Sequence, residues 1–229
     1  MIRGLFALLA LAVMGACGTS QTKVFSGNYD PPPAHSRVLV MTPDTHLSLL
    51  TAAGLQEARA DWSQAGRDNL AAQLQTHLEA RGHVHGALDP DSAMAGRPGQ
   101  IIRLHDAVGQ SILAFNFMPT NLPTKSDSFE WTLGEGVQEL GAQYEADYAL
   151  FVTARGSYAS SGRVATMVAM SILGVGIPLG GQQAFASLVD LETGHVIWFN
   201  VATAAPDEDM REPEGARQLV QRLMDEAPL

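Results

Sequence analysis

The histidines of the chain include candidates for metal binding and for catalysis. His83 and His85 flank Val84, so a strand through them would place both imidazoles on one face. A zinc site needs three or four protein ligands, and no third ligand is evident nearby. Asp89 and Asp91 are close in sequence but lie in a predicted loop. Solvent-facing polar side chains at a sheet edge explain the pattern, so neither a metal site nor a cofactor is predicted.

Nucleophiles and acid–base pairs are equally sparse. His105 and Asp106 are adjacent on a predicted helix, where neighbouring side chains point in different directions. The serine-hydrolase motif Gly-x-Ser-x-Gly is missing, and Gly174-Val175-Gly176 lacks the third glycine and acidic partner of a dinucleotide-binding motif. Several carboxylates are predicted to be solvated surface groups: Glu130, Glu135, Asp207, Glu208 and Asp209. No catalytic residue is predicted, and the protein is not expected to be an enzyme.

Composition narrows the classes of function further. The chain has 229 residues, which fits one domain with an extension, and 46% of them are hydrophobic, enough for a core. Its net charge of −10 argues against binding nucleic acid, which requires a basic surface. The same charge disfavours electrostatic attraction to anionic lipid headgroups. Because Cys17 is the only cysteine, no intramolecular disulfide can form.

The N-terminus predicts where the protein is located. Arg3 is followed by the apolar stretch Leu5–Val13, which has the length of a secretory signal and is too short to span a bilayer. Met14-Gly15-Ala16-Cys17 resembles the lipobox of bacterial lipoproteins, with Met14 where that family usually has Leu. The resemblance implies that a signal peptide, residues 1–16, is removed and that Cys17 receives palmitate and related acyl chains. An ordinary signal peptide with a cysteine near its cleavage site is the alternative.

The residues after Cys17 extend this prediction. Several acyl chains, at ~0.8 kcal/mol per buried methylene, would hold the protein on a membrane. Gly18 stands where an Asp would signal retention in the inner membrane, so the resemblance implies the periplasmic face of the outer membrane. Residues 17–36 contain small polar residues and Pro31-Pro32-Pro33, and are predicted to be a flexible tether. A single α/β domain is predicted for residues 37–229.

Within that domain, hydrophobic periodicity predicts the elements that would position a site. Strands are predicted at Val38–Met41, Leu47–Leu50, Leu55–Ala58, from Val84, and at Tyr148–Ala154. Helices are predicted from Asp61, with the apolar stripe Leu70, Leu74 and Leu78, then from Ile101 to Leu113, from a cap at Ser128 to Tyr144, and from Ala216 to Met224. This order predicts an α/β fold, a mixed β-sheet packed by helices.

A hairpin over Gln182–Asn200 is the most clearly predicted local structure. Both arms alternate β-branched or aromatic residues with others, as in half-buried strands. Between them, Glu192-Thr193-Gly194 is predicted to form the turn, because Gly194 can adopt a positive φ. Trp198 has the largest side chain of the region and is predicted to anchor the core.

This hairpin also carries a family resemblance. The order of elements resembles periplasmic lipoproteins of the curli-secretion, Pel-export and penicillin-binding-protein-activator group. A D-x-x-T-G turn and a V-x-W strand typical of that group are matched by Asp190, Thr193, Gly194, Val196 and Trp198. The resemblance implies an anticodon-binding-domain-like (TolB N-terminal-like) sandwich and a place in the cell envelope.

The segment Val164–Leu179 is unusual because its 16 residues include no charged side chain. A membrane-spanning helix needs roughly 20 apolar residues, and Gly174, Gly176 and Pro178 interrupt this one. It is either a short buried helix with a glycine-rich exit, or an exposed element that meets a membrane or a partner subunit. In the second case the predicted interaction residues are Met167, Met170, Ile172, Leu173 and Ile177.

Together these features predict a membrane-anchored periplasmic lipoprotein that acts as an accessory or scaffold of a cell-envelope assembly. It would act through contacts with an envelope protein or with copies of itself, and not with nucleic acid. One alternative is a subunit of an oligomeric outer-membrane secretion or polysaccharide-export channel. A third possibility is an envelope hydrolase whose site is not identified in the sequence.

Overall fold

A computed structural model describes residues 18–88, 96–118, 122–125, 128–205 and 207–229. The predicted signal peptide, the predicted lipidation site Cys17, and Asp89 and Asp91 lie outside the described residues. The strands are β1 (Thr19–Val24), β2 (Arg37–Met41), β3 (Asp44–Leu50), β4 (Gln56–Ala58), β5 (Val84–Leu88), β6 (Tyr148–Ala159), β7 (Gly180–Asp190) and β8 (Val196–Thr203). The α-helices are α1 (Ala60–Ala80), α2 (Arg97–Ile112), α3 (Gln138–Tyr144), α4 (Ser161–Ser171) and α5 (Pro213–Leu223).

The strands form one mixed sheet in the order β1-β8-β7-β6-β2-β5. β6 is 12 residues long and pairs along its length with β7, in antiparallel register. Its other edge is shared, because β2 pairs in parallel with its beginning and β3 with its second half. β4 pairs in antiparallel register with the end of β3 as a short hairpin. The predicted α/β class with a mixed sheet is therefore confirmed.

Helices cover both faces of this sheet. On one face, α1 and α5 pack over Trp198, and the stripe Leu70, Leu74 and Leu78 is fully buried as its helical spacing predicted. On the other face, α2 and α3 pack over an aromatic cluster that includes Phe151, Phe185 and Phe199. The strands between them are apolar on both faces, as expected for the middle layer of a three-layer sandwich.

The prediction of a flexible tether is wrong for Thr19–Val24. These six residues form β1, which pairs with β8 in antiparallel register from Thr19–Thr203 to Val24–Trp198. The physical reason is that β8 is buried along almost its whole length, so its outer backbone groups need partners. A polar, extended segment supplies these hydrogen bonds and forms the sheet edge.

The helix predicted from a cap at Ser128 is also wrong at its start. Phe129 and Leu133 are buried, but the chain is extended here, and Leu133 N donates to Gly194 O at 2.8 Å. This segment instead lies against the turn between β7 and β8, where its backbone hydrogen bonds are satisfied. Helical structure begins only with the 3₁₀ turn Glu135–Val137 and continues into α3.

Candidate functional site

The candidate site is the connection between β6 and β7, residues 161–179, here called the apolar arm. Its helix, α4, is capped by Ser160, whose Oγ accepts a hydrogen bond from Arg163 N at 3.1 Å. After Ser171 the chain leaves the helix at Gly174, whose φ of +75° suits a residue without a Cβ atom. Val175 N donates to Met170 O at 3.1 Å and Gly174 N to Ser171 O at 3.0 Å, the two bonds of a Schellman motif. Local sequence therefore determines both ends of the helix.

The arm exposes its apolar side chains to solvent. No residue of α4 is buried, and the exposed fractions are 53% for Val168, 82% for Ile172 and 73% for Leu173. Val164, Val175 and Leu179 are also exposed, and Met167, Met170 and Ile177 are partly exposed. Of the two interpretations of Val164–Leu179, the buried helix is therefore wrong. Exposed apolar clusters are typical of contact surfaces, since burying a fully exposed aliphatic side chain gains roughly 1.5–3 kcal/mol and a partly buried one gains less.

The two ends of the arm are tied to each other at its base. Arg163 is the only charged residue between Arg155 and Asp190, and its Nε donates to Pro178 O at 3.0 Å. That bond joins the first turn of α4 to the end of the arm. The turn between β3 and β4 lies beside it and carries Leu55, which is 68% exposed. The exposed apolar surface thus continues from the arm onto this turn.

The other end of β7 is built differently. Asp190 Oδ1 accepts hydrogen bonds from Glu192 N at 2.7 Å and Thr193 N at 3.1 Å. Gly194 has a φ of +78°, and its N–H donates to Asp190 O at 2.8 Å, so the predicted turn geometry is confirmed. Trp198 is fully buried, as predicted. These hydrogen bonds hold the turn of the hairpin together.

A pairing of His105 with Ser187 could not be foreseen from the sequence. His105 Nε2 is hydrogen-bonded to the Ser187 hydroxyl, and the ring stacks on Phe151 with centroids 3.9 Å apart. A serine–histidine pair is the beginning of a nucleophile and base, but His105 is only 4% exposed and Ser187 is fully buried. Burial lowers the pKa of His105 to about 3, far from the value near 7 that suits a general base. The pair is therefore a neutral, structural hydrogen bond.

The two residues are 82 positions apart in the chain, so no sequence spacing indicates the pair. Its neighbour Asp106 is exposed, in agreement with the argument that adjacent helical residues diverge. His83 is buried, and its Nδ1 lies 3.4 Å from Ser36 Oγ. Within the described ranges, three or more His, Cys, Asp or Glu residues never come together as a metal site would require.

The carboxylates of the loop before α5 form ion pairs. Glu208 was predicted to be solvated, but it is buried and pairs with Arg222, so that prediction is wrong. Asp209 pairs with Arg211 at 2.6 Å, and the Arg211 guanidinium stacks 3.6 Å above the Tyr158 ring. The Arg211 charge and hydrogen bonds outweigh burial and lower the pKa of Asp209, although burial alone would raise it. These groups fasten the loop to the sheet.

Near the root of the arm lies an open cavity of about 990 Å³ between the start of α1 and the ends of β3, β6 and β7. Its wall is mixed, with Leu47 and Ala58 beside polar side chains. Two of its arginines are ion-paired, Arg155 with Asp44 at 2.5 Å and Arg59 with Asp61 at 2.6 Å, and Arg67 donates to the Gln64 side chain at 3.3 Å. Within the part of the chain that the structure describes, none of the helices has the length and hydropathy needed to cross a bilayer.

Comparison with known proteins yields only distant similarities. No protein-family model and no curated protein sequence matches the chain. Among solved structures, a PelC dodecamer from Paraburkholderia phytofirmans is similar at 11% identity and a TM-score of 0.41, covering 93% of this chain and 96% of that one. The LpoB C-terminal domain from Salmonella enterica is similar at 14% identity and a TM-score of 0.31, with 77% and 87% covered.

A third similar structure is lipoprotein GNA1162 from Neisseria meningitidis, at 13% identity and a TM-score of 0.35, with 83% of this chain and 96% of that one covered. At such low identities and TM-scores, the similarities carry no inference about function.

Proposed function

We propose that the protein is a lipid-anchored component of the bacterial cell envelope that acts by contact and not by catalysis. It would be held by acylated Cys17 on the periplasmic face of the outer membrane and serve as an accessory or scaffold of an envelope assembly. The observation that carries the proposal is the exposure of the apolar arm. A surface of this kind is costly in water and is explained when a membrane or a protein covers it.

The chemistry of the rest of the chain supports a role in contact. Among the described residues, both serine–histidine pairs, His105–Ser187 and His83–Ser36, are buried. In the cavity near the root of the arm, Arg155 and Arg59 are already ion-paired, with Asp44 and Asp61. The sheet also has an unpaired edge in β1, whose outer backbone groups could accept a partner strand. Contact surfaces are therefore available at the arm and at this edge.

The alternative is a subunit of an oligomeric secretion or export channel, in which the arm would pack between copies of the chain. The exposed apolar arm favours this alternative as well, so the size of the purified particle separates the two. A closed ring in detergent would support the channel, and a monomer or a complex with another protein would support the scaffold.

The proposal is tested in cells with a clickable fatty-acid analogue. Wild-type protein should incorporate the analogue and fractionate with the outer membrane, whereas Cys17→Ala should not incorporate it. A photo-crosslinker at Ser20, on the β1 edge, should then trap a protein neighbour, with Ala142 on α3 as the matched exposed position. An unmodified wild-type protein found free in the cytosol would refute the proposal.

A further inference from the structure

The register of the sheet relates the apolar arm to the N-terminus. Thr19 of β1 pairs with Thr203 of β8, and Thr203 pairs with Gln183 of β7. Gln183 is three residues from Gly180, where the arm joins β7, a distance of roughly 10 Å along a strand. Cys17 precedes Thr19 by two residues, or at most about 7 Å of chain. Thr19, which follows the predicted acylation site by two residues, and the root of the arm therefore lie at the same end of the sheet.

The composition of the arm matches the interior of a bilayer. Its large exposed side chains are aliphatic, and its single charge, Arg163, is at the base and bonded to Pro178 O. A cation at that position can remain at the headgroup level while the residues beyond it enter the acyl chains. The 11 residues of α4 are about 16 Å long, roughly half of a ~30 Å hydrocarbon core, so the arm reaches into one leaflet.

The anchor favours lipid over a protein as the partner of this surface. Once acyl chains on Cys17 have entered a leaflet, the arm is held next to that leaflet, and its insertion becomes an intramolecular step at high effective concentration. A second copy of the chain would have to compete with lipid that is already in place. The whole protein has a net charge of −10, so aliphatic contact, and not attraction to anionic headgroups, would hold the arm in the membrane.

We propose that the apolar arm inserts into the acyl-chain region of the leaflet that holds acylated Cys17, which fixes the protein to the membrane at two points. This inference rests on the proposed lipid anchor. It has an orientational consequence: the strands point toward the bilayer at the end where β1 and β7 begin. The turn between β7 and β8 and the helix α3 then face away from the membrane.

The insertion is tested with an environment-sensitive thiol probe on the full-length protein, expressed with its own signal peptide and reconstituted into phosphatidylcholine vesicles. The probe is placed at Ile172→Cys on the arm, at Ser20→Cys near the anchor, and at Ala142→Cys on α3. All three positions are exposed. Quenchers attached to the lipid acyl chain should reduce the emission of the probe at residue 172 several-fold, with little effect at residues 20 and 142. High salt or added phosphatidylglycerol should not change this pattern.

A pair of variants tests whether the aliphatic side chains cause insertion. With the probe moved to Val168→Cys, the double substitution Ile172→Glu and Leu173→Glu should abolish quenching by the acyl-chain quencher. Leu104→Glu, which adds a charge at an exposed apolar position on α2, should leave quenching unchanged. Circular dichroism of both variants should match wild type, since the substituted side chains are exposed.

The outcomes separate the arm from the anchor. Flotation with vesicles reports the anchor, so a protein that floats but has an unquenched probe at residue 172 overturns insertion and leaves the anchor in place. If mass spectrometry shows no acyl group, the proposed function fails, and titration of the same probe with excess vesicles still decides whether the arm inserts. A probe that becomes buried without lipid, in proportion to protein concentration, overturns insertion in favour of a second copy of the chain.

Discussion

The two ends of strand β7 are connected in opposite ways. At its C-terminal end, the five residues 191–195 lead to β8, and their backbone is fixed by Asp190 and by the segment around Gly134. At its N-terminal end, the 20 residues 160–179 lead from β6 and include the apolar arm, in which no residue of α4 is buried. Strand β7 thus joins a closely packed, hydrogen-bonded turn to an exposed connection. Stability should therefore depend on the first connection, and contact with partners on the second.

Equivalent glycines allow this comparison to be tested directly. Gly194 and Gly174 have nearly the same φ, +78° and +75°. A Cβ atom at Gly194 would lie 2.4 Å from Gly134 O, whereas one at Gly174 would meet nothing within 4 Å. Gly194→Ala should therefore cost at least about 3 kcal/mol of unfolding free energy, and Gly174→Ala only about 1 kcal/mol, the strain of the left-handed conformation.

Urea denaturation of the two glycine variants measures this difference. Because the two glycines have nearly the same φ, the difference between the two losses of unfolding free energy reports the close packing at the turn. Equal costs for the two substitutions would mean that the turn is no more constrained than the arm.

The unfolding free energy should depend on pH through His105, which is hydrogen-bonded to Ser187 in the middle of β7. The exposure of the arm should not depend on pH. The pKa of His105 is about 3 in the folded protein because of burial, against about 6.5 in the unfolded chain. Below pH 6.5 the unfolded state binds the additional proton, so this contribution to stability is lost as the pH falls. Between pH 7 and pH 5 the loss should be about 2 kcal/mol.

The matched protein for this pH test is the double variant His105→Phe with Ser187→Ala, which removes both polar groups from the buried pair. Between pH 7 and pH 5, the unfolding free energy of this variant should fall by about 2 kcal/mol less than that of the wild type, because the other titrating groups are common to both proteins. An identical pH dependence in the two proteins would show that His105 is accessible to protons in the native state. The arm contains no group that titrates in this range, so its exposure to a thiol probe should be constant.

Asp190 has a smaller expected effect, confined to the turn. Asp190→Ala removes the acceptor of the two N–H donors of Glu192 and Thr193, which should cost about 1–2 kcal/mol because the site is partly solvated. Asp190→Asn keeps one carbonyl oxygen in place and should cost less than half of this. Thermal unfolding of both variants provides the measurement, and equal losses would mean that the charge matters more than the hydrogen bonds.

The sequence predicted the elements whose signals are local. Leu70, Leu74 and Leu78 repeat at helical spacing, and the turn at Asp190–Gly194 follows from residue types that favour it. It could not predict β1, because Thr19–Val24 is polar, and only the buried edge of β8 makes it a strand. Glu208 and the His105–Ser187 pair were missed for the same reason, since their partners are distant in sequence. The lack of charge in Val164–Leu179 could not by itself distinguish core from surface, which depends on where the two ends of the arm join the sheet.

The arm itself should contribute almost nothing to the stability of the fold. In the double variant Ile172→Glu and Leu173→Glu, both side chains are already largely in water, so the unfolding free energy should change by less than about 0.5 kcal/mol. Val189→Glu, at a fully buried position in the same strand pair as the turn, provides the contrast and should unfold the protein. Urea denaturation in the absence of lipid measures both. A loss of several kcal/mol in the arm variant would mean that Ile172 and Leu173 pack against the protein in solution, and the arm would then belong to the core and not to a contact surface.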